Sequence, residues 1–143
     1  MPASEKEIAF PSTEWFRVLA DSAAKNTPHY RHLGTFDLAL ALCVGEKSYR
    51  LSFEDFGCSG VEEWDGKKPV DCVISASLED WRALITHIQE RGTADPQHTL
   101  NSLVLAGDRF RLTGEDQLGI DRFYRFNASL QCFIEEARNV PTQ

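Results

Sequence analysis

The sequence predicts an α+β fold in a single domain, and three observations lead there. Residues 70–85, VDCVISASLEDWRALI, change rhythm halfway: Val70, Cys72, Ile74 and Ala76 alternate, then Trp81, Leu84, Ile85 and Ile88 recur at three- and four-residue steps. A period of two marks a strand with one buried face, and a period of 3.6 marks a helix with one buried stripe. Residues 35–76 form one run of alternating segments, and a long helical stripe follows from 117 to 138. Strands gathered in one run, with helices outside it, make α+β.

Taken in order, residues 1–10 are polar and read as a loose tail on one domain spanning 1–143. PSTEWFRVLADSAAKN opens a helix that Ser12 or Thr13 can cap, with Glu14 favouring its positive end. Trp15, Phe16, Leu19 and Ala23 form its inner stripe. NTPHYRHLG then reads as a loop punctuated by Pro28 and Gly34.

Four strands follow. In the first, Phe36, Leu38, Leu40, Leu42 and Val44 share one face, opposite Asp37, Ala39, Ala41 and Cys43. The bulky face needs partners, while the small face is not polar enough to be wholly wet. Gly45-Glu46 offers a tight turn into a second strand that places Tyr49, Leu51 and Phe53 on the matching face. A third runs through GCSGVEEW, and DGKKP leads into the fourth at 70–76. Short turns between successive strands predict an antiparallel meander.

Ser77 can cap the next helix, near 77–91, with Asp80 three residues on. RGTADPQHTLNSLVLAG reads as a break and a short helix, with Asp95 as cap, Pro96 as first residue and Gly107 as terminator. RFRLTG is a fifth strand, Phe110 and Leu112 inward, Arg109 and Arg111 outward. The last helix spans about Gln117 to Arg138, its stripe being Ile120, Phe123, Phe126, Leu130, Phe133, Ile134 and Ala137, with Tyr124 nearby.

Bulk properties exclude several functions. A chain of 143 residues buries about 68% of its unfolded surface and needs neither disulfide nor metal to fold. The net charge of −7 argues against a nucleic-acid partner, which requires a positive surface. Cys43, Cys58, Cys72 and Cys132 form no C-x-x-C pair and suit small buried hydrophobes. The first ten residues lack the apolar core of a secretory signal, and no apolar run approaches the roughly 18 residues of a membrane span. The expectation is a reduced, soluble, cytoplasmic protein.

The order helix, four strands, helix, short helix, strand, long helix resembles the sterol carrier protein 2 family. Three stretches carry the likeness. Residues 49–85 resemble the family's run from strands into a D-x-x-[IV]-x-x-[ST]-x-x-D-[FW]-x-x-[LI] pattern, matched by Asp71, Ile74, Ser77, Asp80, Trp81 and Leu84. Asp95-Pro96-Gln97 resembles the Pro that often opens the short helix, and LTGEDQLGIDRF the strand, Gly-acid and helix, with Glu115 or Asp116 in the acidic place. Two departures stand out: the Gly107-to-Gly114 segment is one residue longer than usual, and HTLNSLVLA is more aliphatic.

The resemblance implies a five-stranded, mainly antiparallel sheet with helices packed on one face. It also implies a hydrophobic tunnel between sheet and C-terminal helices for fatty acyl chains, sterols or similar molecules, with some relatives serving quinone biosynthesis. Here the walls of such a cavity would be Leu38, Leu40, Phe53, Trp81, Leu84, Phe123, Phe126 and Leu130. If the same cavity instead hosted acid–base chemistry on a hydrophobic substrate, Asp37, His32 or Tyr30 would be its acid or base. A third alternative is an interaction subunit, in which Ala39, Ala41 and Cys43 meet a partner protein or a second copy.

His29 and His32 have helical spacing but no third ligand in sequence, so no metal is expected. His87 reads as a helix-surface histidine and His98 as a short-helix histidine, neither with a visible carboxylate partner. The absence of G-x-S-x-G, phosphate-loop and GxGxxG motifs leaves no cofactor expected.

Overall fold

The computed structural model describes residues 6–143. Helices α1 (Thr13–Ala24) and α2 (Thr27–Leu33) precede strands β1 (Leu38–Val44), β2 (Lys47–Glu54), β3 (Gly57–Glu63) and β4 (Cys72–Ala76). Then come α3 (Leu78–Arg91), α4 (Leu100–Ala106), β5 (Arg111–Thr113), α5 (Gln117–Arg125), α6 (Asn127–Glu135) and a 3-10 turn, Glu136–Asn139.

Alternation decides the faces. In register, Leu40 lies between Leu51 of β2 and Cys72 of β4, and Leu42 between Tyr49 and Ile74. Paired positions share a face, so the bulky side is continuous from β2 to β4. It merges with Trp15, Phe16, Leu19, Trp81, Leu84, Ile88, Phe123, Phe133 and Ile134 of the helices into one apolar cluster. The helices therefore cover one side of a two-layer α+β domain. Ala41, on the other side, is also fully buried. The Arg50 side chain crosses that side, bonded to Pro69 O at 2.9 Å and to Ser52 Oγ at 2.9 Å.

The sheet order is β3-β2-β1-β4-β5, mostly antiparallel. This corrects the expected four-strand meander: β1 to β3 follow it, but β4 lies beside β1 and parallel to it. The connection, residues 64–71, must cross three strand spacings, roughly 14 Å, which eight residues span easily. Asp65 Oδ1 accepts the amides of Lys67 at 2.8 Å and Lys68 at 3.1 Å, which turns the chain. Asp71 fixes the landing: its N–H donates to Ala39 O at 2.7 Å, and its Oδ2 accepts the Ala39 N–H at 2.8 Å.

Helix ends follow their caps with two exceptions. Ser12 Oγ accepts the Trp15 amide and Ser77 Oγ the Asp80 amide, both at 3.0 Å. The short helix α4 starts later than expected, because Thr99 rather than Asp95 is its cap, taking the Ser102 amide at 3.2 Å. Asp95 instead closes its own turn by accepting the amides of Gln97 and His98, each at 3.0 Å. Residues 27–33, expected as loop, form α2, since Pro28 in a first turn supports a helix rather than ending one.

The long final helix is broken. Phe126, at φ −103° and ψ 14°, separates α5 from α6 without Gly or Pro. α5 is held at its start: a Cβ on Gly119 would lie within bonding distance of Asp71 O, and one on Gly114 would be 3.1 Å from it. α6 instead follows the core, where Phe133 meets Phe53 edge-on at 5.0 Å. The bend at Phe126 reconciles the two directions.

The expected loose tail also needs correcting. Residues 1–5 lie outside the described residues, but Ile8 pairs with the C-terminal segment through Ile8 N–H to Pro141 O at 2.9 Å. Phe10 is buried against Trp15, ring centroids 4.7 Å apart.

Candidate functional site

Two regions flank the core, and their chemistry is opposite. The first lies where α4, β5 and α5 meet at the sheet edge. Gly107 ends α4 at φ 70°, and the chain doubles back through Phe110 into β5. The resulting open cleft of about 420 Å³ is walled by Val104, Phe110, Leu112, Ile120 and Tyr124, with Arg111 and Thr113 also lining it. Phe110, nearly buried, sits edge-on to Trp81 at 4.9 Å, and Tyr124 edge-on to Phe123 at 5.1 Å. On α4 and α5, Leu105 and Leu118 are 68% and 73% exposed, and Tyr124 44%. Among the described residues, no carboxylate, histidine or cysteine lines this cleft.

The second region surrounds Glu136, a carboxylate only 2% exposed. Four donors converge on it: Ser22 Oγ of α1 at 3.3 Å, Tyr30 OH of α2 at 3.4 Å, Asn139 Nδ2 at 3.2 Å, and Arg138 Nη2 at 3.9 Å. It lies between clefts of about 270 and 480 Å³. Burial first, and the neighbouring Glu136 second, push the Tyr30 hydroxyl far above the ordinary tyrosine range, so it holds its proton. Cys132 Sγ is 3.5 Å from His29 Nε2, the layout of a nucleophile and base. Burial, with Glu135 and Glu136 adding to it, raises the Cys132 thiol and works against a thiolate. The geometry is that of a hydrogen-bonded staple joining the C-terminal segment to α1 and α2.

The eight expected wall residues lie between these regions. Leu38, Leu40, Phe53, Trp81, Leu84, Phe123 and Leu130 are at most 3% exposed, and Phe126 is half-buried at 5.8 Å from Phe36. They pack within the apolar cluster, and none of them lines the clefts above. Trp81 Nε1–H finds its partner in Cys43 O at 2.9 Å.

Of the three acid–base candidates, only Tyr30 faces one of these clefts. His32 is exposed on α2. Asp37 turns outward with its side chain 77% exposed, 3.9 Å from Arg122, so the burial that would make it a base is missing. Cys58, pushed up to about 11 mainly by burial, and Cys72, pushed up to about 12 by burial and Asp71, stay thiols.

The reading of His87 and His98 as lacking a carboxylate is corrected. Asp95 Oδ1 is 2.6 Å from His98 Nδ1, and its Oδ2 is 3.7 Å from His87 Nε2. The contact with His98, above all, holds the Asp95 carboxyl below the usual carboxylate range. Sequence reasoning misses this cluster because Asp95 ahead of a proline reads as a helix cap. It misses Glu136 because a glutamate near a helix end reads as solvated.

No family model matches the chain, and no curated protein matches it. Among solved structures, a crystal structure of sterol carrier protein 2 superposes with a TM-score of 0.65 at 18% identity, over 90% of this chain and 97% of that one. A conserved hypothetical protein from Thermus thermophilus, described as a candidate sterol carrier protein, gives 0.62 at 18% identity over 99% and 94%. The chain has the sterol carrier protein 2 fold. No helix among the described residues is long and apolar enough to cross a membrane.

Proposed function

On that fold, we propose that this protein binds and carries an apolar ligand of the lipid, sterol or fatty acyl class, taken in through the cleft between α4, β5 and α5. The observation that carries the reading is the cleft itself: apolar walls, bordered by helices that hold Leu105 and Leu118 out in water. Exposed apolar surface rimmed by polar groups marks a binding surface.

In this reading Phe110 and Tyr124 are the inner gate, because they rest on Trp81 and Phe123. Leu38, Leu40, Phe53, Leu84, Phe126 and Leu130 belong to the packed core, which a longer chain would have to part to be walled by them. Each methylene taken out of water contributes about 0.8 kcal/mol, before the cost of ordering the ligand. Arg111 and Thr113 supply charge and hydrogen bonds for a polar head. Among the residues lining the cleft there is no acid–base pair of the kind proton transfer needs, which favours carriage over catalysis.

The test is native mass spectrometry of gently purified protein, followed by displacement of a fluorescent fatty acid. A co-purified lipid, and saturable probe binding weakened at least tenfold by Tyr124→Ala and Leu118→Asp, is the expected result. A clean apo mass, together with indifference to fatty acid, sterol and quinone probes, would end the proposal.

A further inference from the structure

The geometry points to a second site, unrelated to the apolar cleft: a divalent first-row metal ion, of the zinc or cobalt kind, held by His87, Asp95 and His98. Among the described residues this is the one group of three such side chains whose ligating atoms all lie within 4.8 Å of one another. His87 comes from α3, Asp95 from the turn before α4, and His98 from the end of that turn.

The three donor groups are already gathered by contacts among themselves. The Asp95 N–H donates to His87 Nε2 at 3.2 Å, so that nitrogen turns its lone pair toward Asp95, and an ion would take the place of this bond. The Asp95 carboxylate is held in place by its two oxygens doing different work. Oδ1 is occupied by the Gln97 and His98 amides and by the His98 ring. Oδ2 faces His87 Nε2 at 3.7 Å, beyond hydrogen-bond length. Two ligands of one tetrahedral zinc, with bonds near 2.0–2.1 Å, stand roughly 3.3 Å apart, so this gap is close to that of a metal's two donors.

The rings of His87 and His98 are stacked, centroids 4.0 Å apart and planes 22° from parallel. His98 joins by releasing its hydrogen bond to Oδ1 and turning a ring nitrogen to the ion. The three side chains are 15%, 26% and 42% exposed for His87, Asp95 and His98, which leaves an approach from solvent and a position for water. Two His and one carboxylate with an open position suit zinc, cobalt or iron(II) rather than magnesium or calcium.

The experiment uses the full chain without a histidine tag, titrated at neutral pH with Co2+ and followed by its visible absorption, then with Zn2+ in competition. Saturation at one equivalent is expected, unchanged in Cys132→Ser, which removes a thiol that could bind the ion instead. Affinity should fall at least tenfold in His98→Gln and in Asp95→Asn. Zn2+ should also raise the thermal midpoint of the wild type and not of those variants. Both substitutions are at partly exposed positions, and circular dichroism is the check that they fold. No saturable binding, or binding undiminished in the two variants, overturns the proposal. Lipid-probe binding is independent of this outcome, so failure here leaves the carrier reading standing.

Discussion

The two ends of the helical layer are finished differently. Around Glu136, hydrogen bonds from α1, α2 and the last turn close the layer with polar groups. At the α4–β5–α5 edge, aliphatic and aromatic side chains are left facing water. A buried carboxylate is tolerated only when its lone pairs are taken up, so the first end is specified by complete satisfaction. The second end is left open among the described residues, and on that openness the proposed carrier function rests.

The comparison can be broken most forcefully at Gly119. A methyl group there would run into the Asp71 carbonyl, forcing α5 off β4. Gly119→Ala should cost about 3 kcal/mol by overpacking, read as a fall in the urea midpoint. It should also disturb the apolar cleft, since α5 is one of its walls. An unchanged midpoint would mean that α5 is not anchored there.

Glu136→Ala tests the closed end. Tyr30 OH would lose its acceptor, and the Asn139 amide one of its two, at about 2 kcal/mol. Lipid-probe affinity should hold, because Glu136 does not line the apolar cleft. Stabilisation instead of loss would show that desolvating the carboxylate outweighs its bonds.

The smallest effect appears with pH. Tyr30 is raised in the folded protein, mainly by burial, so the native state keeps a proton that the unfolded chain releases above about 10. Stability is then constant below that pH and falls as pH rises past it. Cys72, held up to about 12 from an ordinary 9.0, adds a fall of the same sign that begins about one unit lower. Tyr30→Phe should therefore flatten the alkaline decline without abolishing it. Identical slopes in urea melts between pH 9 and 11 would contradict the assignment.

Much of this is legible from residues alone. Alternation along 36–44 and 70–76 marks the strands, and the stripe Trp81, Leu84, Ile85, Ile88 marks the buried side of α3, all four of them in the core. What local patterns cannot carry is anything set by a distant partner. The parallel pairing of β4 with β1 depends on Asp71 meeting Ala39, thirty-two residues away. The break at Phe126 has no local signal, because it arises from two docking surfaces pulling one stripe apart. Ile120 and Tyr124 are visible as members of that stripe or its neighbours. That they face Val104 and Leu112 across a cleft is not, since three separate elements make it.

The clamp on the Asp71 carbonyl has a mechanical side. Gly114 and Gly119 press β5 and α5 against β4 with no side chain between them, whereas across the opening α4 has its first amide, Leu100 N–H, tied to Gln131 Oε1 at 2.8 Å and Leu100 buried beneath it. One jamb is bolted backbone to backbone, and the other is held by side chains, Leu103 and Val104 among them. If the proposed ligand enters between them, the seven residues of α4 are the ones expected to yield, and amides there should exchange with solvent sooner than those of α5.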